Sequence, residues 1–176
     1  MASRYKLFNE MLAKDAPNAT VFEKVLKWFN LAKREEYNGH DSMLPKIMTL
    51  ESATFEPTPS NPHHATTVFS MTVPRELCNM TGNLHGGAVA LIFDICTSTA
   101  INACSRDGFW DTGHVSRTLN CTYLRPAPEG SKIFVESEVV HLGKRMGLIK
   151  GVIKTEDGKT CYTCEHGKAA VGGATL

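Results

Sequence analysis

The stretch from Asn79 to Cys104 constrains this chain most, because it joins a turn of small and polar residues to a long apolar run holding one carboxylate. From Leu84 onward, Ala88, Val89, Leu91, Ile92, Phe93, Ile95, Ala100 and Ile101 wrap most of a helix circumference, which predicts a helix buried on nearly every side. Asp94 lies inside that run. An ionised carboxylate among apolar side chains is costly unless charge or hydrogen bonds offset its lost hydration. No Lys or Arg occurs between Leu84 and Cys104, so any partner of Asp94 must come from elsewhere.

The other end of the same helix supplies complementary chemistry. Gly86 and Gly87 fall in its first turn, where backbone N–H groups lack intrahelical acceptors and the helix dipole favours negative charge. Glycine there also lets a ligand approach the backbone closely. An oxygen that gains charge during a reaction fits such a position, which is the logic of an oxyanion hole. Asp94 follows Gly87 by seven residues, about two turns, so the two share a face but stand roughly 10 Å apart along the axis. That is too far for both to act on one carbonyl within a single chain. If both act together, two copies of the helix must meet, which predicts a homodimer with its site at the interface.

Asn79, Gly82, Leu84-His85-Gly86-Gly87 and Asp94, followed by Val115-Ser116 and Asn120-x-Thr122-Tyr123-x-x-Pro126-Ala127, form a specific set. The set resembles the hotdog-fold acyl-CoA thioesterases of the PaaI and thioesterase superfamily member 2 type, over residues 45 to 172. The resemblance implies an α+β hotdog fold, with an antiparallel sheet of five or six strands around one long helix, and homodimers that pair further into homotetramers. It implies hydrolysis of an acyl-CoA to a free acid and coenzyme A, with coenzyme A only as part of the substrate and no cofactor. It also implies roles: the carbonyl oxygen bonds the Gly86 N–H, Asn79 and His85 orient the site, Gly87 contacts substrate, and Asp94 of the partner chain attacks or activates water. Ser116 holds a water or Asp94 through its hydroxyl. Lys144 and Arg145, in the turn after Gly143, are candidates for the coenzyme A phosphates.

Two other readings stay open. A thioesterase for carrier-protein-bound acyl or polyketide chains shares the same site, and a non-catalytic acyl-binding protein keeps the pocket. Asp94 argues against the second. The resemblance leaves the acyl chain unspecified.

The 176 residues, 42% hydrophobic, suit one globular domain with a real core, and the resemblance implies a hotdog domain over 45–176 preceded by a helical extension over 1–44. Thr20-x-x-Glu23 is a capping-box signature before Phe22, Val25, Leu26, Phe29 and Ala32, with Asn38-Gly39 as the stop, predicting a helix of about four turns. A formal charge of +1 gives no reason to expect nucleic acid or a membrane surface as partner. Without a run of eighteen charge-free apolar residues or a signal-peptide core, six cysteines read as reduced thiols, and the location expected is intracellular, cytoplasmic or mitochondrial.

Strands are expected over Ile47 to Glu56, through Thr67, Phe69, Met71 and Val73, along Val115 to Tyr123 with Ser116 on a polar face, and through Ile133, Val135 and Val139. Two more, Leu148 to Thr155 and Cys161 to Val171, flank the hairpin signal Glu156-Asp157-Gly158-Lys159. His63 and His64 are expected to be solvated in a proline-rich loop. Cys161-x-x-Cys164-x-His166 invites a metal reading, but strand residues three apart face opposite sides, so no metal site is expected.

Overall fold

A computed structural model of the chain describes residues 6–171 apart from 8, 11, 12 and 17. Six antiparallel strands form one sheet in the order β1-β2-β4-β5-β6-β3. They are β1 (Thr49–Phe55), β2 (Ala65–Thr72), β3 (His114–Tyr123), β4 (Lys132–Leu142), β5 (Met146–Thr155) and β6 (Thr160–Ala170). The helices that position the site are α1 (Val21–Ala32), the short α2 (Leu44–Ile47) and α3 (Gly86–Ala100), which continues as a 3-10 turn over Ile101–Ala103. The expected strands and the expected long helix are therefore all present. The first strand starts later than Ile47 because Pro45 opens a helical turn instead.

α3 is the central helix, and the sheet curves around it. Val89, Ile92, Phe93, Cys96 and Ala100 are fully buried against the sheet. Their contact is close enough to exclude a side chain at Gly151 of β5, where a Cβ would lie 2.7 Å from Phe93 Cδ1 and 2.7 Å from Cys164 Sγ. Residues Gly86–Ala103 are long and apolar enough to cross a membrane by length and composition alone, yet 56% of that window is buried inside the sheet. The expectation of burial on nearly every side needs correction. Gly87 is exposed, and Ala90, Leu91, Asp94, Ile95 and Ser98 are only half-buried, at helical spacing. One stripe of α3 thus faces away from its own sheet, and Asp94 lies on it.

β3 sits at one edge of the sheet, paired only with β6. Its pairing shifts between Ser116 and Thr118. A strict alternation puts Ser116 and Tyr123, seven residues apart, on opposite faces. The irregularity resets the phase, so Ser116 bonds Asp94 while Tyr123 bonds the backbone of Gly86. This corrects the expected single polar face carrying Ser116. Opposite the shift stands Gly167, where a Cβ would lie 2.5 Å from Thr118 Oγ1.

α1 begins with the expected capping box: Thr20 Oγ1 accepts from Glu23 N–H at 3.2 Å, and Glu23 Oε2 accepts from Thr20 N–H at 2.7 Å. It ends at Ala32, six residues before Asn38, because Lys33-Arg34-Glu35-Glu36 is an exposed charged run with nothing to bury. Val25 and Phe29 join the core, with the Phe29 and Phe69 rings 4.7 Å apart. His63 and His64 are half-buried rather than solvated. The loop folds back on the sheet, stacking His63 on Phe109 at 4.5 Å and bringing His64 Nε2 within 3.6 Å of Glu138.

Because α3 and β5 touch at Gly151, adding one methyl there overpacks the core. Gly151→Ala is expected to lower unfolding free energy by about 1–3 kcal/mol, measured by urea denaturation; an unchanged midpoint would show that α3 packs less closely.

Candidate active site

The entry to α3 is fixed by backbone pairing. Leu84 N–H donates to Ala127 O at 2.8 Å and His85 N–H to Leu77 O at 2.8 Å. Asn79 closes the loop before it: its Oδ1 accepts from Thr81 N–H, Thr81 Oγ1 and Asn83 N–H. Gly82, at φ +73°, makes the turn. His85 is the N-cap, and its Nδ1 accepts from Gly87 N–H at 2.9 Å. That bond occupies the Gly87 donor, whereas the Gly86 N–H has no acceptor among the described residues. Tyr123 Oη donates to Gly86 O at 3.0 Å, beside this turn.

Asp94 stands about two turns further along and finds its partners on β3 and β6. Ser116 Oγ donates to Asp94 Oδ1 at 2.7 Å. Lys168 Nζ donates in turn to Ser116 Oγ at 3.0 Å and to Ser98 Oγ at 2.8 Å. His166 Nε2 lies 3.4 Å from Asp94 Oδ1. All of these contacts fall on Oδ1 or behind it. The Asp94 side chain is 38% exposed, and its Oδ2 has no partner among the described residues.

Both cations of β6 are perturbed. Burial pushes the Lys168 ammonium down to about 8, with the neighbouring Asp94 charge opposing that shift. Burial, and next the Lys168 charge, push the His166 imidazolium down to about 4, again against Asp94. At neutral pH His166 is therefore neutral, and its approach to Asp94 is a dipole contact rather than an ion pair. Thr97 Oγ1 lies 2.6 Å from His166 Nδ1 and 2.5 Å from Phe93 O. Its single proton goes to Phe93 O, so Oγ1 accepts from His166 Nδ1–H, and Nε2, which has no hydrogen-bond partner among the described residues, faces Asp94.

The sequence reading placed Asp94, Ser116, Gly86, Gly87, His85 and Asn79 in one site. Within the chain they form two groups: Asn79, His85, Gly86 and Gly87 at the start of α3, and Asp94 with Ser116 about two turns away. Lys144 and Arg145 are exposed in the β4–β5 turn. That turn bonds Trp110 Nε1 through Gly143 O and Ala170 N–H through Arg145 O. It sits by the first residues of β3, so the structure does not bring it to Gly86. His166 and Lys168 were missed. Their signal was a histidine and a lysine at the alternating positions that continue the buried Tyr162 and Cys164 face of β6. Cys161 and Cys164 do face different ways, with Cys161 Sγ near Pro126 O and Cys164 toward Phe93 and Gly151.

With this geometry in view, comparison with known proteins is informative. The sequence pattern of the thioesterase superfamily matches residues 81–162, which run from the α3 entry loop into β6. Acyl-coenzyme A thioesterase 13 of Mus musculus is 31% identical over 110 residues, covering 62% of this chain and 69% of that protein. The chain belongs to the thioesterase superfamily. As a member of that superfamily it is also 34% identical over 91 residues to the proofreading thioesterase EntH of Klebsiella pneumoniae, covering 52% of this chain. It spans 64% of that relative's length, and 57% and 35% of two further curated relatives. The crystal structure of zebrafish thioesterase superfamily member 2 superposes with a TM-score of 0.70 at 23% identity, covering 87% of this chain and 99% of that one. The superfamily's hotdog fold, a sheet wrapped around one helix, is thus the fold of this chain.

The neutral, buried His166 makes stability pH-dependent in a defined direction. Its folded value near 4 lies below the ordinary unfolded value, so between about pH 6.5 and 4 the unfolded chain binds more protons. Stability falls as pH drops through that window, by up to about 3 kcal/mol from this residue. Chemical denaturation of wild type and His166→Asn from pH 7 to 4 should give a shallower decline in the variant. Parallel declines would mean that His166 is charged in the fold.

Proposed function

We propose that this chain hydrolyses acyl thioesters, with an acyl-coenzyme A as substrate, in a homodimer whose sites combine residues of both copies. The observation that carries this reading is Asp94: a half-exposed carboxylate with Oδ1 held by Ser116 and Oδ2 open, on the unpacked stripe of an otherwise buried helix. The superfamily membership and the name of the mouse relative, an acyl-coenzyme A thioesterase, support the same reaction.

In this reading Asp94 is a general base. Oδ2 takes a proton from a water, whose oxygen attacks the thioester carbonyl carbon. The carbonyl oxygen gathers negative charge against the unoccupied Gly86 N–H and the positive end of the α3 dipole. Collapse of the tetrahedral species breaks the carbon–sulfur bond, expelling coenzyme A thiolate, which takes up a proton, and leaving the free acid. Ser116, backed by Lys168, aims Asp94 through its Oδ1, and no cofactor enters. Six free cysteines fit an intracellular location, cytoplasmic or mitochondrial.

Distance supports the second copy, if Gly86 and Asp94 act on one carbonyl. Gly86 and Asp94 are eight residues apart on one helix, about 12 Å along its axis. The surface facing away from the sheet suits a copy of itself. β3 offers a ten-residue free edge, with Val115 53% and Tyr123 52% exposed. A long unprotected edge strand invites pairing. Antiparallel pairing of two β3 edges would bring the open stripes of two α3 helices together, an isologous contact.

Thiol release from acyl-CoA should fall at least ~100-fold in Asp94→Asn, the usual contribution of a general base; near-normal turnover would overturn the role. A subunit-mixing experiment tests the shared site. Gly86→Pro removes one N–H at a helix position that tolerates proline. Mixed with Asp94→Asn, it should recover about a quarter of wild-type activity, because half the dimers are mixed and each contains one intact site. Two inactive variants that stay inactive on mixing would place both groups of a site in one chain.

A further inference from the structure

A cavity of about 1030 Å³ lies between α1 and the C-terminal half of α3. Small-molecule pockets typically measure about 300–1,000 Å³, so this one exceeds what a short acyl group needs. Its origin is legible in α1. Val25 and Phe29 satisfy the core, yet the helix is also apolar on the next face, where Trp28, Leu31 and Ala32 are half-buried and line the cavity. Ile95 of α3 and Val115 of β3 form the facing wall, and Tyr37 closes the side beyond the end of α1. The lining is mostly apolar, with Glu36, His40 and Asp41 on the side beyond the end of α1 and the polar seam described next on the other.

Two observations fix the orientation of this cavity relative to Asp94. Ser98, which lines it, bonds Lys168, and Lys168 bonds the same Ser116 hydroxyl that holds Asp94. Ile95 and Ser98 follow Asp94 by one and four residues, about 1.5 and 6 Å along the α3 axis, so the cavity begins within about one helical turn of the carboxylate. Two polar atoms on its wall have no partner, Asn102 Nδ2 and His114 Nδ1. Asn102 and His114 border a second, polar pocket of about 80 Å³ as well, which has room for the water that would satisfy them.

We propose that this cavity takes the acyl chain of the substrate, a medium to long unbranched alkyl chain, and that α1 is the wall that sets the chain length. The inference rests on Asp94 as the reacting group of the proposed function. With the thioester carbonyl at Asp94 Oδ2, the chain runs along α3 toward its C-terminus and lies between Ile95 and the Trp28–Leu31–Ala32 face. The N-terminal helix thereby gains a functional role in addition to its packing on the core.

The test separates binding from turnover. In the Asp94→Asn protein, calorimetric titration with dodecanoyl-CoA and acetyl-CoA should show dodecanoyl-CoA binding roughly 100-fold tighter, from methylene burial. Adding Ala32→Trp, which fills the cavity, should cancel at least tenfold of that gain and leave acetyl-CoA affinity unchanged. Leu31→Ser, a milder change on the same wall, should shift affinity in the same direction and retains the test if Ala32→Trp fails to fold. Equal affinity for the two esters, or equal losses for both in the α1 variants, would overturn the proposal. Chain-length-dependent binding without thiol release from wild type would instead uphold the cavity and overturn hydrolysis.

Discussion

The structure depends on placing one carboxylate on a helix that is otherwise apolar. Bringing Asp94 against the sheet unpaired would cost several kcal/mol. The chain reduces that cost in three ways: it leaves the side chain on the one helical stripe that does not face the sheet, donates a hydroxyl proton from Ser116, and sets Lys168 behind that hydroxyl. None of these removes the charge. The carboxylate keeps one oxygen open, as the proposed role of a base requires. The partner lysine meets the same constraint in reverse, since its burial is tolerated because Asp94, Ser98 and Ser116 surround it.

A small irregularity in β3 makes this arrangement possible. A regular strand cannot send both Ser116 and Tyr123 to the same helix. The shift at Ser116–Thr118, opposite Gly167, lets the edge strand serve both ends of α3, one at the carboxylate and one at the Gly86 turn. Local backbone geometry, glycine placement and active-site geometry are here one feature. The same strand is the free edge of the sheet, so the residue that aims Asp94 lies at the surface where a second copy would dock.

Much of this was legible in the sequence because it obeys simple periods. The apolar run of α3, the capping box of α1 and the alternation of β2, β4 and β6 each specify their element. What was not legible came from contacts between elements. Ser116 could be nominated but not phased, because a bulge leaves little trace in the alternation of side chains. His166 and Lys168 were hidden in a segment read for its cysteines, although polar residues on a buried face were the clue. The open stripe of α3 was unreadable from hydrophobicity, since Leu91 and Ile95 are as apolar as the buried Ile92 and Phe93. Asn38-Gly39 misplaced the end of α1, which stops where the apolar residues stop.

The coupling of Lys168 to Asp94 is tested most directly by the pH profile of acyl-CoA hydrolysis in wild type and Lys168→Met. With Lys168 titrating near 8, wild-type kcat/KM should fall above that pH, as the cation that holds Ser116 and supports the Asp94 charge is lost. Lys168→Met should be slow at every pH and should lack that alkaline limb. A wild-type profile that stays level through pH 9.5, or a variant that retains the limb, would contradict the arrangement in which Lys168 sustains the proposed catalytic carboxylate.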